Sequence, residues 1–228
     1  MKKIEGILLR GGIGVLLTDT IYGLVGSALS KMAVERIYKV RKRNSKKPFI
    51  ILISSVKDLN YFGVKLDQKT KALLKKIWPG PVSVILPCSS GKFYFLHRGT
   101  KILAFRLPKL NWLRNLLRKT GPLVAPSANP EGLPPAKTIK EAKKYFGNEA
   151  DFYVNGGQQA ALPSSLVRFK NGQILIEREG QGLYQCPECK MHYFNKATAR
   201  QCENWCHKHK SCNLDIIKIA LESARAKI

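Results

Sequence analysis

The stretch VLLTDTIYGL, Val15 to Leu24, decides how this chain is read. Its first part, VLLTDT (Val15 to Thr20), is a short apolar run that ends in polar residues, and Gly23 follows soon after. Such a run is too short for a helix and reads as a buried strand. Four further runs have the same character: FIILIS (Phe49 to Ser54), VSVILP (Val82 to Pro87), ILAFRL (Ile102 to Leu107) and PLVAPS (Pro122 to Ser127). Amphipathic helix patterns separate them. One begins near Ser30 and carries Ala33, Ile37 and Val40 on one face; a second starts at Asp67 and ends before Trp78-Pro79-Gly80. Others cover Trp112 to Arg118 and Thr138 to Phe146. The alternation predicts an α/β fold, a twisted mixed β-sheet with flanking helices. Ser165 to Phe169 and Gln173 to Arg178 read as a closing hairpin around Asn171-Gly172. Gly180-Gln181-Gly182 reads as a hinge into a tail.

Bulk properties narrow the company the chain keeps. Its 228 residues suffice for one ordinary domain plus a small appendage. The 40 Lys and Arg against 15 Asp and Glu give a formal charge of +25. That excess points to polyanions: RNA, nucleotide phosphates or an anionic membrane surface. A generally basic proteome is the plainer alternative. No apolar run reaches the roughly 18 residues of a bilayer span. Met1 to Arg10 is too short and too mixed for a secretory signal. The expectation is a cytoplasmic protein without a membrane partner. Five of the six cysteines fall in the last 43 residues, and in a chain without a signal that clustering favours metal over disulfides.

Three segments carry candidate chemistry. Thr18-Asp19-Thr20-Ile21-Tyr22-Gly23-Leu24 places hydroxyls where an apolar strand ends, which suits a polar ligand or a plain strand terminus. Tyr38 to Lys47, YKVRKRNSKK, has six basic residues in ten and no acid. Like charges this close repel unless an anion joins them, and guanidinium forks match phosphate oxygens; a solvated basic face is the alternative. Pro122 to Gly132 delivers Ser127 and Asn129 from a strand into a Pro/Gly turn, where they can bind phosphate or ribose, or merely close an Asx-turn. The phosphate loop G-x-x-x-x-G-K-[ST] is absent, as are G-x-S-x-G and H-E-x-x-H. Cys88 reads as a core or strand-end thiol.

In this order and spacing, roughly residues 6 to 180 resemble the YrdC-like family of threonylcarbamoyl-AMP synthases. Its T-D-T-x-Y-G-L matches Thr18 to Leu24; its K-x-R and later proline match Arg41-Lys42-Arg43 and Pro48. Its P-G-P-V-T matches Pro79 to Ser83, its R-x-P Arg106 to Pro108, and its P-S-A-N-x-x-G Pro126 to Gly132. A later S-T-V is similar to Ser164-Ser165-Leu166, and R-x-G to Arg178-Glu179-Gly180. The departures are Arg41 for the family lysine, Asn44 for a proline, Lys47 for an asparagine, Leu52 for a frequent histidine and Pro135 for a serine.

The resemblance implies a nucleotidyltransferase that makes threonylcarbamoyl-AMP from L-threonine, bicarbonate and ATP, for threonylcarbamoyladenosine in tRNA. Arg43, Lys47, Ser127, Asn129 and Arg178 would hold ATP. Thr20, Arg106, Ser164 and the backbone at Ala125 would hold threonine. Arg41, with Arg43, would serve catalysis by stabilising charge at the carbamate or phosphate. Mg2+ would accompany the triphosphate. tRNA and the transferase that uses the product are implied partners.

The tail supports a separate reading. Cys186-x2-Cys189-x12-Cys202-x3-Cys206 has the spacing of a ββα zinc finger with cysteines for both histidines. Tyr184, Tyr193 and Ala199 fall at finger core positions, and so small a segment needs a metal to fold. Structural Zn2+ is therefore expected, with His192, His207, His209 and Cys212 as spare ligands. Leu214, Ile217, Leu221 and Ala224 form an apolar helical stripe. The expected organisation is a synthase domain over 1–180 and a zinc-finger-like tail over 183–228. Two rival functions stay open: a non-catalytic module binding double-stranded RNA or tRNA, and a carbamoyl transferase, although the latter enzymes carry further domains.

Overall fold

The computed structural model describes residues 2–44, 47–170 and 173–222. Short helix α1 (Lys2–Leu9) leads into β1 (Ile13–Leu17) and β2 (Tyr22–Ser27), followed by α2 (Lys31–Val40) and β3 (Ile50–Leu52). A 3-10 helix, Val56–Phe62, precedes α3 (Gln68–Ile77), β4 (Val82–Pro87), α4 (Tyr94–His97), β5 (Ile102–Arg106) and α5 (Asn111–Thr120). Then come β6 (Leu123–Val124), α6 (Ile139–Phe146), β7 (Phe152–Tyr153), β8 (Ser165–Lys170) and β9 (Gln173–Arg178). Ser30, Asp67 and Thr138 cap α2, α3 and α6 by accepting from the backbone N–H of Ala33, Thr70 and Glu141. Each cap satisfies an N–H that the first helical turn leaves open, worth about 1 kcal/mol.

Among the described residues, nine strands form one mixed sheet in the order β7-β1-β2-β6-β3-β5-β4-β8-β9. The pairs β1/β7, β3/β5 and β4/β8 run parallel; the others run antiparallel. Alternation along β1 sends Ile13 and Val15 to one face and Leu16 to the other. The first face packs on α2, α3 and α6 through Ile37, Leu74 and Phe146. The second packs on α1 and α5 through Leu8, Leu113 and Leu117. Each of these buried side chains contributes about 1.5–3 kcal/mol.

The end of β1 differs from the sequence reading. Strand β1 stops at Leu17, because Thr18 folds back: its N–H and its hydroxyl both bond the Ile21 carbonyl, at 3.1 and 2.7 Å. Thr18 to Thr20 therefore form a turn, and the chain re-enters the sheet at once as β2, paired with β1 and β6. The expected hairpin is β8 and β9, and its Asn171-Gly172 turn lies outside the described residues.

In the tail, β10 (Tyr184–Gln185) and β11 (His192–Tyr193) pair antiparallel, followed by α7 (Lys196–His209) and α8 (Leu214–Ile217). This is the expected ββα order. The apolar stripe is not one helix, since α8 ends at Ile217. Leu221 instead packs into the large core and Ala220 into the tail's own cluster; Ala224 lies outside the described residues. Nor is Gly180 to Gly182 a free hinge. Gln181 N–H bonds the Pro163 carbonyl at 2.8 Å, and the Gln181 carbonyl accepts from Ser165 N–H at 3.0 Å. A Cβ on Gly180 would sit 2.3 Å from the Pro163 oxygen, so this close passage needs glycine. Among the described residues, no helix is long and apolar enough to cross a membrane.

Candidate active site

The turn after β1, the end of α2, the ends of β5 and β9 and the segments after β6 and before β8 converge on one cavity of about 310 Å3. Four arginines line it, Arg41, Arg43, Arg106 and Arg178, and no carboxylate among the described residues does.

Arg106 reaches the cavity from the end of β5 with almost no contact with solvent. Its Nη1 donates to Thr20 Oγ1 at 3.1 Å, and its Nη2 lies 3.1 Å from Asp19 Oδ1. Thr20 is held in turn by Thr18: the two hydroxyls are 3.1 Å apart, and Thr20 N–H bonds Thr18 Oγ1 at 3.2 Å. Burial lowers the Arg106 pKa, and Asp19 opposes that shift.

Arg41 caps the C-terminus of α2 and is 2% exposed. Its Nε donates to the Asn129 carbonyl at 2.8 Å and its Nη2 to Ser127 Oγ at 3.2 Å, while Nη1 is buried without a partner among the described residues. Burial first, then the Arg43 charge, lowers its pKa to about 10. Arg178 bonds the Ser164 carbonyl through Nη2 at 2.8 Å; burial, then Arg106 and Arg43, lowers its pKa as well. Ser164 Oγ pairs with Ser83 Oγ at 2.9 Å, which ties the P-G-P-V-S segment to the site. Guanidiniums that depress one another in a carboxylate-free cavity cost free energy until an anion enters. A phosphate chain or a carboxylate supplies that charge.

Eight of the candidate residues meet there: Thr20, Arg41, Arg43, Arg106, Ala125, Ser127, Ser164 and Arg178 all line the cavity. Two do not. Asn129 is buried behind the lining, where its Nδ2 donates to the Pro130 and Leu133 carbonyls and shapes the turn that carries Ser127. Lys47 Nζ pairs with Glu131 Oε1 at 2.9 Å, and Glu131 Oε2 accepts from Asn44 N–H at 2.7 Å. That carboxylate fastens the basic loop to the turn after β6, and the two bonds lower its pKa. Leu52 lies away from the cavity in the second core with Leu113 and Leu116, whereas Pro135 lines it. The sequence reading assigned no role to Asp19, although it stands inside the quoted motif, or to the apolar Pro48, Phe49 and Ile50, which also line the cavity. Tyr38 stacks on Phe49 with centroids 4.0 Å apart and donates its hydroxyl to the Lys47 carbonyl, fixing this edge.

The tail holds a second constellation. The sulfurs of Cys186, Cys189, Cys202 and Cys206 all lie within 4.8 Å of one another. Four thiols so close, three of them buried, match the donor set of a tetrahedral soft-metal site. The Tyr193 hydroxyl beside them is buried without an oxygen or nitrogen partner among the described residues, and Cys202 is its neighbour. Cys212 Sγ lies 4.0 Å from Cys206 Sγ on the exposed side. The histidines are engaged elsewhere: His192 with Glu222 at 2.6 Å and Glu179 at 3.2 Å, His207 near Glu188, and His209 stacked on Trp205. Cys88 is buried and donates to the Phe62 carbonyl.

Known proteins share this architecture. A threonylcarbamoyl-AMP synthase of Bacillus subtilis is 35% identical over 166 residues, 72% of this chain and 48% of its own. One from Nitrosococcus oceani is 32% identical over 178 residues, 76% of this chain and 95% of its own. The crystal structure of Pyrococcus abyssi Sua5 complexed with L-threonine superposes with a TM-score of 0.74 at 27% identity, covering 80% of this chain and 54% of that one. The chain thus spans about half the length of the Bacillus and Pyrococcus relatives. The family model described as telomere recombination matches residues 6–180, and the chain belongs to that family, Sua5/YciO/YrdC.

Proposed function

We propose that the chain is an L-threonylcarbamoyladenylate synthase, joining L-threonine, bicarbonate and ATP into threonylcarbamoyl-AMP with release of pyrophosphate and water. The observation that carries this reading is the cavity lined by four arginines and no carboxylate, with Thr20 and Ser164 beside Arg106 and Arg178. Arg106 and Ser164 receive the threonine carboxylate, with Thr20 and the Ala125 backbone at the rest of the amino acid. Arg43, Ser127 and Arg178 receive the phosphates. Lys47 joins them on leaving Glu131, and Asn129 acts by holding Ser127 and Arg41. The threonine amine takes up bicarbonate to form a carbamate, and a carbamate oxygen displaces pyrophosphate from the α-phosphorus. Such a step needs positioning and charge neutralisation more than a protein nucleophile. Arg41, held by Asn129 and Ser127 and with its buried Nη1 unpartnered among the described residues, offers charge to the reacting oxygens. Among the described residues the lining supplies no carboxylate for Mg2+, so magnesium arrives bound to the triphosphate.

Residues 1–180 form the synthase unit in this reading and 183–228 the tail unit. Zn2+ at Cys186, Cys189, Cys202 and Cys206 is structural, since four thiolates close its shell. The product serves tRNA modification through a separate transferase, in the cytoplasm. The rival RNA-binding reading predicts no turnover. Pyrophosphate formation with ATP and bicarbonate, compared with and without threonine, separates the two.

A further inference from the structure

Helix α7 has an inner and an outer side of different chemistry. Ala199, Cys202 and Cys206 fill the inner side against the cysteine cluster. The exposed positions of the helix include Lys196, Arg200, Gln201, Asn204, Trp205 and Lys208, and none of them is acidic; Glu203 is half-buried. Trp205 is 37% exposed and stacks on His209, with centroids 4.1 Å apart and planes at 28°. The buried cluster around the cysteines is built by other residues, Tyr193, Ala199 and Ala220 among them. Stacking on His209 fixes the Trp205 ring plane while more than a third of its surface stays open.

We propose that the outer side of α7 binds a single-stranded nucleic-acid segment. An unpaired base stacks on Trp205, and phosphates lie along Arg200 and Lys208. The combination of a fixed aromatic plane and exposed cations is the chemistry of single-strand recognition, because every base has a flat face and every nucleotide carries a charge. Gln201 and Asn204 add amide groups that can meet base edges. An acidic protein would match the cations but leave the indole platform unused. A duplex would hide its base faces from Trp205. The inference goes beyond the synthase reading and does not depend on it.

The test uses the full chain, prepared with zinc, and fluorescein-labelled 12-nucleotide RNA and DNA of one sequence, each single-stranded and as a duplex. Anisotropy is read at 50 and 200 mM salt. Trp205→Ala should weaken single-strand binding about 5- to 150-fold, the range for losing one base–aromatic stack, while Trp205→Phe retains most of the affinity. The double variant R200Q/K208Q should lower the slope of log affinity against log salt by about 1.4, two phosphate contacts' worth. Zinc content and circular dichroism establish that each variant is folded, and Trp205→Phe keeps the test valid where Trp205→Ala is not. Tighter binding of the RNA or of the DNA strand identifies the natural source. Wild-type affinity and salt slope in the folded variants, equal binding of the duplex, or no binding by the unmodified chain would each overturn the proposal.

Discussion

Asp19 Oδ1 lies 3.1 Å from Arg106 Nη2, with both side chains 5% exposed. The contact is ionic rather than a directed hydrogen bond, since Asp19 Oδ1 has no hydrogen-bond partner among the described residues. Asp19 Oδ2 accepts from Lys109 N–H at 3.1 Å, so the carboxylate is anchored beyond the end of β5 while it faces the arginine. One motif residue thereby sets the position of a guanidinium whose own burial disfavours its charge. Asp19→Ala should destabilise the fold by about 3 kcal/mol, because it leaves a buried cation without its counter-charge. It should also raise the threonine KM more than it lowers kcat. Urea unfolding together with threonine titration checks both, and wild-type values in each would remove Asp19 from the site.

Arg43 is the arginine of the cavity least tied to the fold. It approaches the Phe49 ring at 5.5 Å and makes one long bond, 3.4 Å, to the Lys47 carbonyl. Arg43→Ala should therefore weaken ATP binding by about 1.5–3 kcal/mol, the range for a hydrogen bond to a charged group, and leave the far-ultraviolet circular dichroism native. Unchanged ATP affinity in calorimetry would contradict its assignment.

The pH dependence of stability should expose the Arg36–Asp151 clamp. Asp151 Oδ2 accepts from Ile13 N–H at 2.8 Å and from Arg36 Nη1 at 2.7 Å, and Oδ1 accepts from Arg36 Nη2 at 2.8 Å. The Arg36 bonds chiefly hold the carboxyl below its ordinary 3.8. A depressed native pKa makes a contribution that is complete above 3.8 and fades as the pH falls through the native value. Asp151→Asn should cost roughly 1 kcal/mol at pH 7, solvent screening included, with the difference from the wild type shrinking below pH 3.8. Paired denaturation curves from pH 7 to pH 2.5 check this; a gap that widens on acidification would refute it.

Metal analysis of protein prepared under reducing conditions should find one zinc per chain. Without metal, burial pushes Cys202 up to about 11 and raises Cys206, whereas at Cys189 burial is outweighed by the Met191 N–H and the neighbouring thiols, which lower the pKa, so Cys202 and Cys206 are the thiols that resist ionising until a cation joins them. Chelation should expose the amides of 184–209 to hydrogen exchange while β1 to β6 stay protected. Leu183 and Leu221 pack into the large core, so some loosening at their contacts should accompany it. A zinc-free chain with a protected tail would contradict the assignment.

Helix caps and buried strands were legible because their causes are local. Ser30, Asp67 and Thr138 stand where the patterns begin, and VSVILP coincides with β4. Strand β2 was not legible. Its YGLVGS carries two glycines and no period, and β6, a partner it needs, lies about a hundred residues further on. A similar distance hid the state of Lys47, whose counter-charge Glu131 comes from another loop. The amide of Asn129 is spent locally, on the Pro130 and Leu133 carbonyls of its own turn, a use the residue type alone does not distinguish from ligand binding. Leu52 stood out as a departure from the family pattern, yet the side chain belongs to a core face that sequence alone does not place.

The central claim is that this carboxylate-free arginine cavity activates threonine. Purified protein with ATP, magnesium and bicarbonate should release pyrophosphate when L-threonine is added, well above the rates with serine or valine, because a site that meets both hydroxyl and methyl discriminates against analogues lacking either. Omitting bicarbonate should abolish the signal. Pyrophosphate release indifferent to threonine, or undiminished without bicarbonate, would contradict the account.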